Sequence, residues 1–131
     1  MRLKCNLLDA LGCAIAAFPG KPIQAVRAQV REFHSAGPST MIGGGTGAPH
    51  LAAFHNAALI RYVDFMDNYM AKKQSGHPSD TIAAALAAAE YNKCSGKDFL
   101  LAMALAYEVF CTLLEEFPVQ ELEGFRSRAH Q

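Results

Sequence analysis

"TIAAALAAAEYNKCSGKDFLLAMALAYEVF", residues Thr81 to Phe110, decides the fold class. The first ten residues are nearly all alanine or other small and apolar types. The last twelve place Phe99, Leu100, Met103, Tyr107 and Phe110 three or four apart, which is the period of a helix. Between the two runs, Ser95 is suited to cap a helix, and Asp98 stands three residues on as the acidic partner of a capping box. The reading is one helix from Ser79 or Asp80 to about Tyr91, then a second from Gly96 to about Glu116. The second also carries Leu114 and is ended by Pro118. Alanine on the first allows another helix to approach closely.

Outward from there the pattern repeats. "LAAFHNAALIRYVDF" predicts a helix over Leu51 to Phe65. Before it, "SAGPSTMIGGGTGAPH" cannot be helical. Its glycines between Gly43 and Gly47 invite a phosphate-loop reading, but no lysine follows and no βαβ unit surrounds them. Glycines that let backbone pass close to a neighbouring helix fit better. A helix from Pro22 to about His34 has Ile23, Val26, Val30 and Phe33 as its apolar stripe. A first helix from Leu3 to Phe18 has Leu3, Leu7, Leu8, Leu11 and Ile15 on one face, and Pro19-Gly20 stops it. The expectation is an all-α, bundle-like single domain of five helices and one glycine-rich loop.

The 131 residues are one domain in size, 51% hydrophobic and 18% charged. Twelve basic residues balance twelve acidic ones. That leaves no basic stripe for nucleic acid and no polybasic patch for a membrane surface. The amino-terminal apolar run is broken by Asn6 and Asp9, against a secretory signal. The run from Phe99 to Leu114 is shorter than the roughly 20 residues of a bilayer span, and Glu108 interrupts it. Cys5, Cys13, Cys94 and Cys111 form no C-x-x-C pair, and the expectation is four buried free thiols in a cytoplasmic protein. The alanine-rich helices are apolar almost all round, which suits the interior of a larger helical body. Both ends therefore read as cut from something bigger.

"RYVDFMDNYMAKKQSGHPSD", Arg61 to Asp80, is the polar exception. Asp64 and Asp67, three apart at a helix end, would share one side, with Arg61 one turn earlier. His77 follows thirteen residues after Asp64. Two carboxylates and an imidazole can move protons at a carbon beside a carboxylate, and an arginine can hold that carboxylate in a bidentate pair. The alternatives stay open at this point: a solvated or capping D-x-x-D pair, a histidine that only makes a turn, and an Arg61–Asp64 pair that does nothing else. Metal binding finds no H-x-x-x-H or similar cage.

Three blocks, "NAALIRYVDFMDNY", "GHPSDTIAAALAAAEY" and "SGKDFLLAMALAYEVFCTL", resemble the MmgE/PrpD family in order and spacing, within a likeness from about Leu7 to Val119. The resemblance implies the early part of a large helical domain, without the family's smaller α/β lid. It implies a homo-oligomer, usually a dimer, that acts on a small polycarboxylate without a cofactor. The family includes 2-methylcitrate dehydratase, cis-aconitate decarboxylase and iminodisuccinate epimerase. "IRYVDF" and "GHPSD" look most like the first, which would place the chain in propionate catabolism. The family's active-site aspartate and first histidine correspond to Asp64 and His77. Arg61, Asp67, Asn68 and Ser79 are then substrate-binding candidates, and no metal is implied.

The chain departs from the family pattern at Met66, where a polar residue is usual, and at Asn68, where Thr is usual. In "EGFRSRAHQ", Arg126 and Ser127 stand where Asp and a second histidine are expected, and His130 is out of register. The lyase reading is therefore of an incomplete site. The competing reading is a non-catalytic helical association module or a degenerate fragment.

Overall fold

A computed structural model describes residues 2–33 and 35–117. His34, Pro118 and the positions from Val119 to His130 discussed above lie outside the described residues. The fold is mostly helical, as expected: α1 (Arg2–Ala16), α2 (Lys21–Glu32), α3 (Pro49–Tyr62), a 3-10 turn (Pro78–Thr81), α4 (Ile82–Tyr91) and α5 (Gly96–Glu116). Two minimal antiparallel hairpins were not foreseen. One pairs β1 (Ser39–Thr40) with β2 (Thr46–Gly47), and the other pairs β3 (Tyr69–Met70) with β4 (Ser75–Gly76).

α3 lies at the centre, packed by α4 on one side and α1 on another, with α2 beside it. Leu59 and Ile60 of α3 are fully buried with Ile82 and Ala83 of α4, Met103 of α5, and Ala10, Cys13, Ala14 and Ala17 of the α1 region. Small residues on α1 and α4 let helix axes come close, which is what the alanine runs suggested. The face expected on α1 is corrected, however. Leu3 and Leu7 pack at the edge of the core, but Leu8 and Ile15 are exposed, and the alanines with Cys13 go inside. Phe33 of the α2 stripe is exposed too, while Ile23 and Val30 are buried. Of the four thiols expected inside, only Cys13 is buried; Cys5 and Cys94 are exposed and Cys111 is intermediate.

Side chains tie the hairpins to the helices. The Asn56 side chain, wholly buried on α3, accepts from Ile42 N–H at 2.9 Å and donates to the Thr40 carbonyl at 2.8 Å. The Ser39 hydroxyl donates to the Ala87 carbonyl of α4 at 2.9 Å. The glycine run is the turn of this hairpin. Gly43 has φ +92°, and a Cβ there would meet the Phe18 ring at 2.3 Å, so both conformation and space demand glycine. At the second hairpin, the Gln74 amide donates to the Leu114 and Phe117 carbonyls at 2.7 and 2.8 Å. These are carbonyls that the end of α5 leaves without helical partners. At the other end of α5 the capping box is formed: Ser95 accepts from Asp98 N–H, and the Asp98 carboxylate accepts from Ser95 N–H.

Candidate functional site

α3 ends at Tyr62, three residues earlier than its sequence pattern suggests. Asp64 then takes a left-handed conformation, φ 56°, with its N–H on the Arg61 carbonyl at 3.2 Å. This overturns the expectation that Asp64 and Asp67 lie on one side of a helix. The turn folds the Asp64 carboxylate back onto Arg61, with which it forms an ion pair. Aspartate tolerates this backbone region better than most residues. The Asp67 carboxylate bonds elsewhere, to Ser79 N–H and the Asn6 amide.

His77 comes to the same place from the far end of the second hairpin. Its Nε2 is 3.9 Å from Asp64 Oδ1, and its side chain is mostly buried, at 18% exposure. Its Nδ1 lies 2.7 Å from the Asp67 carbonyl oxygen. A carbonyl only accepts, so Nδ1 carries the hydrogen in this contact. In the neutral ring the lone pair is then on Nε2, facing the Arg61–Asp64 pair. Arg61, Asp64 and His77 therefore share one surface, which is the convergence the three sequence blocks suggested.

The other three candidates are placed differently. Asp67 spends its carboxylate on structure: Oδ1 accepts from Ser79 N–H at 3.1 Å and Oδ2 from the Asn6 amide at 3.3 Å. With its carbonyl on His77, it joins the loop, the 3-10 turn and α1. The Tyr107 hydroxyl of α5 faces the same carboxylate, and burial together with Asp67 pushes it above the usual phenol range. Asn68 is exposed, with its amide on the Met70 sulfur at 3.4 Å. It lines a separate hollow of about 370 Å³ with Arg2, Asn6, Tyr69 and Tyr107. Ser79 is 1% exposed and its hydroxyl has no hydrogen-bond partner among the described residues. Met66 is buried, and its sulfur lies 3.5 Å from Arg61 Nη1. A weak acceptor thus stands where the family pattern has a polar group.

Sequence reasoning treated Asp80 only as the start of a helix. Its carboxyl is half-buried, and Oδ1 is enclosed without a hydrogen-bond partner among the described residues. Burial raises its pKa, opposed by Arg61 and His77 and reinforced by Asp67 and Asp64. That list of neighbours is the candidate site itself. The signal available was the acidic residue directly after "HPS".

A groove of about 650 Å³ runs along α1 past Cys5, Leu8, Gly12 and Ala16 to Val63 and Phe65. It is predominantly apolar and contains none of the six candidates. Among the described residues, no group of three or more His, Cys, Asp or Glu side chains is arranged to hold a metal ion. Among them, too, no helix is long and apolar enough to cross a membrane.

Comparison with known proteins identifies the family. The MmgE/PrpD N-terminal domain model matches residues 1–130. The "Probable 2-methylcitrate dehydratase" of Saccharomyces cerevisiae is 32% identical over 123 residues, covering 78% of this chain and 22% of that protein. The "2-methylcitrate dehydratase" of Escherichia coli K12 is 31% identical over 128 residues, covering 83% of this chain and 25% of its own length. This chain thus spans about a quarter of the length of the relatives it matches. No solved structure matches it. With the family model covering nearly every residue, including Arg61, Asp64 and His77, the chain belongs to the MmgE/PrpD family, in the region of its N-terminal domain.

Proposed function

We propose that the chain supplies one half of a polycarboxylate-handling acid/base site of the 2-methylcitrate dehydratase kind. The observation that carries this reading is the convergence of Arg61, Asp64 and His77, with His77 fixed through Nδ1 so that Nε2 is the free nitrogen. In such a dehydration a C–H bond beside a carboxylate breaks and its electron pair forms the C=C bond. The C–O bond on the next carbon breaks, and the departing hydroxide takes a proton from a general acid to leave as water. His77 Nε2 is suited to take the carbon-bound proton, and Asp64 to stabilise the imidazolium so formed. Arg61 is suited to hold a substrate carboxylate through guanidinium donors that Asp64 does not use. Asp67 acts as a positioning group for His77, and Asn68, which faces the separate hollow, contacts substrate only if substrate extends there. Ser79 reaches substrate only if its enclosed hydroxyl becomes uncovered. Cytoplasmic location, homo-oligomerisation and a role in propionate catabolism belong to the same reading, as does a lid supplied by other parts of the assembly.

The Arg61 and Asp64 side chains are 38% and 63% exposed, so water screens the site as it stands. Binding without fast turnover is the expected behaviour of these 131 residues. Calorimetric titration with 2-methylcitrate, and with propionate as a monocarboxylate control, tests this. The expected result is binding of the polycarboxylate and none of propionate at the same concentration. Equal weak responses to both would overturn the reading.

A second reading, the non-catalytic association module, draws on α5. Leu101, Leu105, Val109 and Leu113 form an exposed apolar stripe at four-residue spacing. Apolar patches of this kind mark interfaces. Self-association by light scattering together with no binding of 2-methylcitrate would favour this reading over the lyase half-site.

A further inference from the structure

We propose that Asp80 is a positioning residue of the half-site, whose carboxyl in its protonated form leaves Arg61 available to a substrate carboxylate. The inference rests on the polycarboxylate reading above and adds a residue to it. Three observations converge. Asp80 Oδ1 is buried and has no hydrogen-bond partner among the described residues. The adjacent Ser79 hydroxyl is buried and unpartnered as well. The charged and titratable groups that face Asp80 are Arg61 from α3, Asp64 and Asp67 from the turn after it, and His77 just ahead of the 3-10 turn. Tyr107 of α5, also packed near this turn, faces Asp67.

An enclosed carboxylate oxygen that receives no hydrogen bond is unfavourable when ionised, and protonation removes the penalty. The raised pKa of Asp80, caused first by burial, points the same way. Local charge explains why this matters for the ligand. With Asp80 ionised and His77 neutral, Asp64, Asp67 and Asp80 set three negative charges against the single positive charge of Arg61. A ligand with two or three carboxylates would meet net repulsion, and Arg61 would be drawn toward Asp80. With Asp80 neutral, one negative charge is removed and the guanidinium keeps donors for an incoming carboxylate.

Two measurements on the 131-residue chain test this. Carbon-detected NMR titration of the Asp80 carboxyl in the unaltered protein reads its protonation directly. The expected midpoint lies above the ordinary aspartate value of about 3.9; a midpoint at or below that value overturns the inference. Calorimetric titration with 2-methylcitrate then compares the unaltered protein with Asp80→Asn at pH values on either side of the measured midpoint. Asparagine keeps the shape and stays neutral. On crossing the midpoint upward, the unaltered protein is expected to lose about tenfold in affinity relative to Asp80→Asn, the order expected for one added charge close to the ligand. Comparing both proteins at each pH cancels the titration of the ligand and of His77. Identical pH dependence in the two proteins overturns the inference and leaves the half-site standing. Absence of binding to either protein at every pH overturns the polycarboxylate reading, and this inference with it.

Discussion

Replacing Met103 by alanine is expected to lower the stability of the chain by about 2–5 kcal/mol, the range for deleting a large buried side chain. Met103 is fully buried, at 0% exposure, and comes from α5 to join a core otherwise built from α1, α2, α3, α4 and the Met66 turn. Most of its neighbours in that cluster are alanines, isoleucines or Leu59, which have little freedom to move into the space left. At a urea slope of roughly 2 kcal/mol/M, the unfolding midpoint should fall by about 1–2.5 M. Leu101→Ala is the control, because Leu101 is 60% exposed on the same helix. It should cost well under half as much. Equal losses for the two variants would mean that α5 packs through a different face.

Arg61→Ala is expected to weaken binding of 2-methylcitrate by about 30-fold or more. Truncating one partner of a hydrogen-bonded charge pair costs about 2–5 kcal/mol, and the partial exposure of Arg61 argues for the lower end. Arg61→Lys should recover part of the loss, since it restores the charge but not the two-pronged fork. Calorimetry reads both variants. Affinity within threefold of the unaltered protein for Arg61→Ala would remove arginine from the site.

The helices were legible because periodicity and caps are local signals. Ser95 and Asp98 announced the start of α5, and the capping box is present. The inside of α1 was not legible. Leucine is the usual core residue, so Leu8 and Ile15 were expected inside, yet Ala10, Ala14 and Ala17 are buried in their place. Closely approaching helices select for small side chains, and one helix read alone does not reveal its neighbour's distance. The turn at Asp64 was equally hidden. No glycine or proline marks the end of α3, and the helical pattern of "LIRYVDF" continues past it. The two hairpins are only two residues per strand, too short for any alternation to register.

At the candidate site, the order of the motifs brought out Arg61, Asp64 and His77, which the fold places together. Spacing alone could not separate Asp67 from Asp64, because both are carboxylates in one short stretch. Only the three-dimensional partners, Asn6, Ser79 N–H and the His77 ring, reveal Asp67 as an anchor. Asp80 was missed for a related reason. An acidic residue in the first turn of a helix has an ordinary explanation in the helix dipole. Its enclosed oxygen becomes evident only once the surrounding chain is in place.

Nitrogen-15 NMR of His77 during titration with 2-methylcitrate tests the half-site most directly. Before ligand is added, the ring should carry its hydrogen on Nδ1, as the 2.7 Å contact with the Asp67 carbonyl requires. On addition, the account predicts saturable shifts at His77 Nε2 and the Arg61 guanidinium, with the Asp64 carboxyl responding at the same ligand concentration. Shifts confined to the apolar groove at Cys5, Gly12 and Phe65, with His77 and Arg61 unchanged, would contradict it.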